Sequence, residues 1–141
     1  MKTSIAILLG VGILGGCSFM ARDTETYKND TRTLLETKNS DVVACYDAAL
    51  AANPSQSGNV VVTFNVEKKT GLLTNVNADP NQSTAPEGLQ QCVVKALEGL
   101  TLPEPDRRQG DATFTWTFNA AGGAPVAADA PADAPADAPA A

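Results

Sequence analysis

At 141 residues the chain is the size of one domain, and its net charge of −6 leaves no basic footprint for nucleic acid. Histidine is absent, which removes Ser-His and Cys-His nucleophilic machinery, the usual general base near neutral pH and the commonest zinc ligand. The three cysteines, Cys17, Cys45 and Cys92, form no CxxC pair, so neither a thioredoxin-like nor a zinc-ribbon site has support.

The chain opens with a positive charge at Lys2 and an apolar run over residues 5–14, followed by Gly15-Gly16-Cys17. A basic start, about ten apolar residues and small residues before a cut make the pattern of a secretory signal. The run is too short for a bilayer core of about 30 Å, which takes about 20 apolar residues. Leu14-Gly15-Gly16-Cys17 resembles the bacterial lipobox, in which the cysteine is diacylated and becomes the first residue of the mature chain. The expectation is a lipoprotein signal over residues 1–16 and a lipid on Cys17; the plainer alternative is an ordinary cleaved signal with a stray cysteine. Ser18 is not the aspartate that retains lipoproteins at the inner membrane in many Gram-negative species. The resemblance therefore implies an outer-membrane anchor facing the periplasm. Several acyl chains, at roughly 0.8 kcal/mol per buried methylene, make such an anchor durable.

Residues 17–39 are polar and read as a tether, with room for a helical turn or more around Leu34-Leu35. Ser40 is a good N-cap for a first helix, whose stripes carry Val42, Cys45 and Ala49 beside Val43, Tyr46 and Leu50. Asn53-Pro54 stops it. Residues 59–67 then switch to period two, with Val60, Val62, Phe64 and Val66 on one face. Lys68-Lys69-Thr70-Gly71 makes a turn, and residues 72–78 return as a second strand. Thr84-Ala85-Pro86-Glu87 fits a capping box for a second helix, along which Leu89, Cys92, Val93, Ala96, Leu97 and Leu100 recur at helical spacing. Pro103 and Pro105 end that helix. Residues 112–118 form a third strand, with Ala112, Phe114, Trp116 and Phe118 alternating with Thr113, Thr115 and Thr117. Residues 121–141, rich in Ala, Pro and Asp, build no core and are expected to be disordered with polyproline character, either a spacer or a tolerated end.

Residues 40–120 thus specify an α+β domain. The economical assembly is a three-stranded antiparallel sheet of order 2-1-3 with two helices on one face. A core of roughly 80 residues is near the size that needs a staple. Cys45 and Cys92 fall on inward stripes and, once exported, meet oxidising conditions in which a disulfide persists; two buried thiols are the alternative. A bridge closing roughly 48 residues contributes about 4 kcal/mol in the chain-entropy model.

The order helix, hairpin, helix, strand resembles the C-terminal domain of TonB-type proteins. It is more similar still to the disulfide-bearing variant at the C-termini of AgmX/PglI-type gliding-motility proteins of myxobacteria and relatives. The residues that carry the likeness are Cys45-Tyr46, Ala49-Leu50, Asn53-Pro54, Gly58, the valine-rich strand to Val66, Gly71, Cys92-Val93, Leu97, Leu100, Pro103, Phe114, Trp116 and Phe118. The resemblance implies a periplasmic interaction module linked to motility or transport machinery. In TonB itself the last strand offers its edge to a short receptor peptide. Here no Tyr-Pro motif of the TonB type precedes the first helix, and a lipid anchor replaces the motor-coupled transmembrane helix, so binding or scaffolding fits better than energy transduction. A TonB-like adaptor to an outer-membrane receptor and an inhibitor or immunity-type lipoprotein against a secreted protein are the alternatives.

The third-strand edge at Thr113, Thr115 and Thr117 is the candidate partner-binding strand, by β-augmentation; a solvated threonine face is the plainer account. Trp116 reads as core because it keeps phase with Phe114 and Phe118. Glu87, Glu98, Glu104, Asp106 and Asp111 read as surface charge, and Arg107-Arg108 as loop solubility or an anchor for an acidic partner. No catalytic residue, metal site, cofactor or small-molecule substrate is indicated. The expected partners are the membrane, through the N-terminal lipid, and an envelope protein.

Overall fold

The computed structural model describes residues 23–120 and the backbone of Val126–Asp129. The signal, Cys17 and Ser18 lie outside the described residues, as does the tail apart from Val126–Asp129.

Among the described residues, three helices and four strands follow in the order α1 (Thr24–Glu36), α2 (Asn39–Ala52), β1 (Gly58–Val66), β2 (Leu73–Ala78), α3 (Glu87–Leu97), β3 (Gly110–Phe118) and β4 (Val126–Asp129). The sheet runs β2-β1-β3-β4 and is antiparallel throughout, so the expected 2-1-3 order holds and a fourth strand extends it. β1 is central because it is apolar along its whole inner face and pairs along its full length with β3, from Gly58 opposite Phe118 to Val66 opposite Gly110.

Much of the polar stretch expected as a tether is helical. Asp23 caps α1 by accepting from the Thr26 amide at 2.9 Å and its hydroxyl at 2.7 Å. Tyr27, Thr31, Leu34 and Leu35 then recur along one side, and Leu35 is fully buried in the common core. The folded unit therefore begins well before residue 40. The link to α2 is two residues, with Lys38 N–H bonded to the Leu35 carbonyl at 3.0 Å. α2 starts at Asn39 with Lys38 in the cap position and no side-chain cap, so Ser40 lies inside the first turn and does not cap.

One core joins the helices to the sheet. Val60, Val62, Phe64 and Val66 from β1 and Phe114, Trp116 and Phe118 from β3 meet Val42 and Tyr46 from α2 and Leu89, Val93 and Leu97 from α3. The Tyr46 hydroxyl sits 2.8 Å from the Gln56 carbonyl and 2.7 Å from the Asn119 carbonyl, tying α2 to the end of β3.

The expected capping box is absent. Pro86 occupies the cap position of α3 without a side-chain bond. Thr84 and Ser83 serve β1 instead: their hydroxyls accept from the Asn59 amide at 2.8 Å and the Val61 amide at 3.0 Å, continuing the β2 side of the sheet past Ala78. α3 ends at Leu97, earlier than the periodicity suggests, because residues 100–102 turn to pair along β2: Leu73 N–H meets Leu100 O at 2.9 Å and Leu102 N–H meets Gly71 O at 2.8 Å. That pairing covers the outer edge at the start of β2.

Candidate functional site

The sheet edge singled out by the sequence is not bare. β4 lies along β3, with Val126 opposite Thr117, Ala127 opposite Trp116, Ala128 opposite Thr115 and Asp129 opposite Phe114. Of the three candidate threonines, Thr115 and Thr117 thus face the chain's own strand, and Thr113 stands one position beyond it. No described strand pairs with residues 110–113 on that side. The expectation of an open edge is corrected for residues 114–117.

A reason is visible in the tail's composition. Proline supplies no amide donor and is confined to strand edges and ends. It recurs at positions 125, 131, 135 and 139, so residues 126–130 are the longest proline-free run after Pro125, and they hold the tail's one β-branched residue, Val126. The seven residues joining β3 to β4 include Gly122-Gly123. Averaging the tail as low complexity hides this run.

The threonines' own face of the sheet is polar and lies opposite the helices. Across it Asn75 Nδ2 donates to Asn65 Oδ1 at 2.8 Å, Asn65 Nδ2 donates to Asp111, and Asn77 Nδ2 donates to the Asn75 carbonyl at 2.9 Å. Asn75 sits at φ 51° where the β1–β2 register shifts, a backbone conformation that asparagine tolerates better than most residues. Trp116 is completely buried and packs on Phe114 with ring centroids 4.5 Å apart, as a core residue.

Cys45 and Cys92 form a disulfide between α2 and α3, with Cα atoms 5.8 Å apart across a sequence separation of 47. Cys45 is buried, but Cys92 is exposed. The inward stripe of α3 is Leu89, Val93 and Leu97, and Cys92 stands about 100° round the helix from its neighbour Val93. The pair staples the helix-helix seam from the core at Cys45 to its rim at Cys92.

Glu87, Glu98, Glu104 and Asp111 are exposed, as are Arg107 and Arg108. Asp106 departs from the surface reading: it is only 8% exposed, its carboxylate accepts from the Arg108 amide at 3.2 Å, and its carbonyl accepts from Lys69 N–H at 3.1 Å. Asp79 shapes the loop before α3. Its carboxylate accepts from the Asn81 amide at 2.8 Å and from Gln82 Nε2 at 2.7 Å, which holds it below the usual carboxylate range. A surface groove of about 690 Å³ runs between β2 and α3, bordered by Asn77, Gln91, Lys95 and Glu98.

Among the described residues no group of three or more Cys, Asp or Glu side chains is placed to hold a metal ion. Among them, too, no helix is long and apolar enough to cross a membrane. What the arrangement offers chemically is backbone pairing at a sheet edge, on a domain stapled by one disulfide. No protein-family model, curated protein or solved structure matches the chain.

Proposed function

We propose that this protein is a lipid-anchored lipoprotein of the outer membrane, facing the periplasm, which binds an extended segment of an envelope protein at the outer edge of β3. The observation that carries the reading is that β3 already takes a strand there, four residues long and supplied by the same chain. An edge able to pair with Val126–Asp129 offers the same amides and carbonyls to a partner, and main-chain pairing of this kind gives affinity with modest demands on sequence. Among the described residues, the helices share a core with the face of the sheet opposite the threonines. The lipobox-like Leu14-Gly15-Gly16-Cys17 supports the anchor, and the disulfide fits an exported protein. The order helix, hairpin, helix, strand supports a TonB C-terminal-like module in a scaffold of motility or transport machinery.

The anchor is tested by growing bacteria that express the full chain with an alkyne fatty acid and following the label. The native chain takes up label and sediments with outer membranes, and Cys17→Ser does neither. Label retained by Cys17→Ser would sink the lipid assignment.

A further inference from the structure

β4 covers less than half of the strand it pairs with. β3 is nine residues long, and only residues 114–117 face β4. Residues 110–113 are paired with β1 on one side and with no described strand on the other. An incoming strand of eight residues finds twice as many register positions on this edge as β4 occupies, and it can begin on the half with which no described strand pairs.

Resting on the reading of this edge as the partner site, we propose that β4 is a placeholder in cis, displaced by a longer extended segment that first pairs with residues 110–113 and then zips along β3. Two further features fit. The β3–β4 link is seven residues and includes Gly122-Gly123. Proline at 125 and 131 limits how far β4 can extend its own pairing, whereas a proline-free segment has no such limit. The partner segment is therefore extended and free of proline over about eight residues. A short tether sets an effective concentration in the millimolar range, so a segment matching only the covered half competes poorly.

The probe is a fluorescein-labelled peptide, Val-Ala-Ala-Asp-Thr-Val-Thr-Lys, which repeats residues 126–129 and runs on past them, read by fluorescence anisotropy with the full lipidated chain in detergent. The four-residue peptide Val-Ala-Ala-Asp serves as the short comparison. The full chain binds the long peptide and not the short one. Ala127→Pro with Ala128→Pro, which removes donors on both sides of β4, binds the long peptide about tenfold more tightly, the factor expected if the edge stands open a tenth of the time. Thr115→Cys with Ala128→Cys, crosslinked across the register pair, loses binding, while Thr115→Cys alone keeps it. The proposal is overturned if the proline pair binds no more tightly than the native chain, if the locked chain binds as well as the native one, or if no variant binds the long peptide. Those failures would leave the lipid anchor and a partner at another surface intact. Conversely, peptide displacement seen in vitro with no partner captured in cells would refute the proposed function alone.

Discussion

Gly71 has its backbone at φ +73, and a Cβ placed there would collide with the carbonyl of Leu102, the residue whose amide bonds to the Gly71 carbonyl. Gly71→Ala meets strain and overlap together, and we expect a loss of about 1–3 kcal/mol in urea unfolding. The Asp79 carboxylate gives a pH dependence. The amide of Asn81, then the side chain of Gln82, hold its pKa below the usual carboxylate range. Its contribution is therefore fully present above the unfolded value and is lost as the pH falls through the folded one. As the pH falls below the ordinary carboxylate range, the urea midpoint of the native chain should drop more steeply than that of Asp79→Asn, and parallel curves would show that Asp79 contributes nothing to the pH dependence. The alternation of Phe114, Trp116 and Phe118 already declares an inward face. Cys92 and Asp106 were less legible. Cys92 borders its helical stripe, where period alone does not separate rim from core, and Asp106 is buried by a loop whose path depends on contacts distant in sequence.

β1, β2, α3 and β3 follow from their periods to within a few residues, because each buries one face against the same core. α1 does not, since its stripe is Tyr27, Thr31 and Leu34-Leu35, with a threonine at the centre and polar residues all round. Its burial is settled by packing, and Leu35→Ala tests it: a core leucine costs roughly 2–5 kcal/mol, whereas an unchanged midpoint would place α1 outside the cooperative unit. The disulfide is the staple that a core this small calls for. Cys45→Ser should lower the melting temperature under non-reducing conditions by on the order of 10–20 °C, from about 4 kcal/mol of lost chain constraint. An equal melting temperature would mean that the bridge adds nothing. β4 shows where composition misleads. The tail is Ala, Pro and Asp on average, yet one proline-free stretch meets the sheet.

Among the described residues, the helices, disulfide and core lie on one side of the sheet, the other face is polar, and the outer edge of β3 is covered by β4 at residues 114–117 and unpaired by any described strand at residues 110–113. On the proposed function, the Cys17 lipid would hold that edge near a membrane, and the domain would act as a tethered binder with its own strand resting in the seat of its partner. A photo-crosslinking residue at position 113, just past the end of β4, tests this in intact cells, with adducts mapped by mass spectrometry. An adduct with an envelope protein through an extended, proline-free segment is expected, increased when Ala127→Pro and Ala128→Pro release β4 and absent from a crosslinker at position 98, just past the end of α3. No adduct from position 113, or the same adducts from position 98, would contradict it.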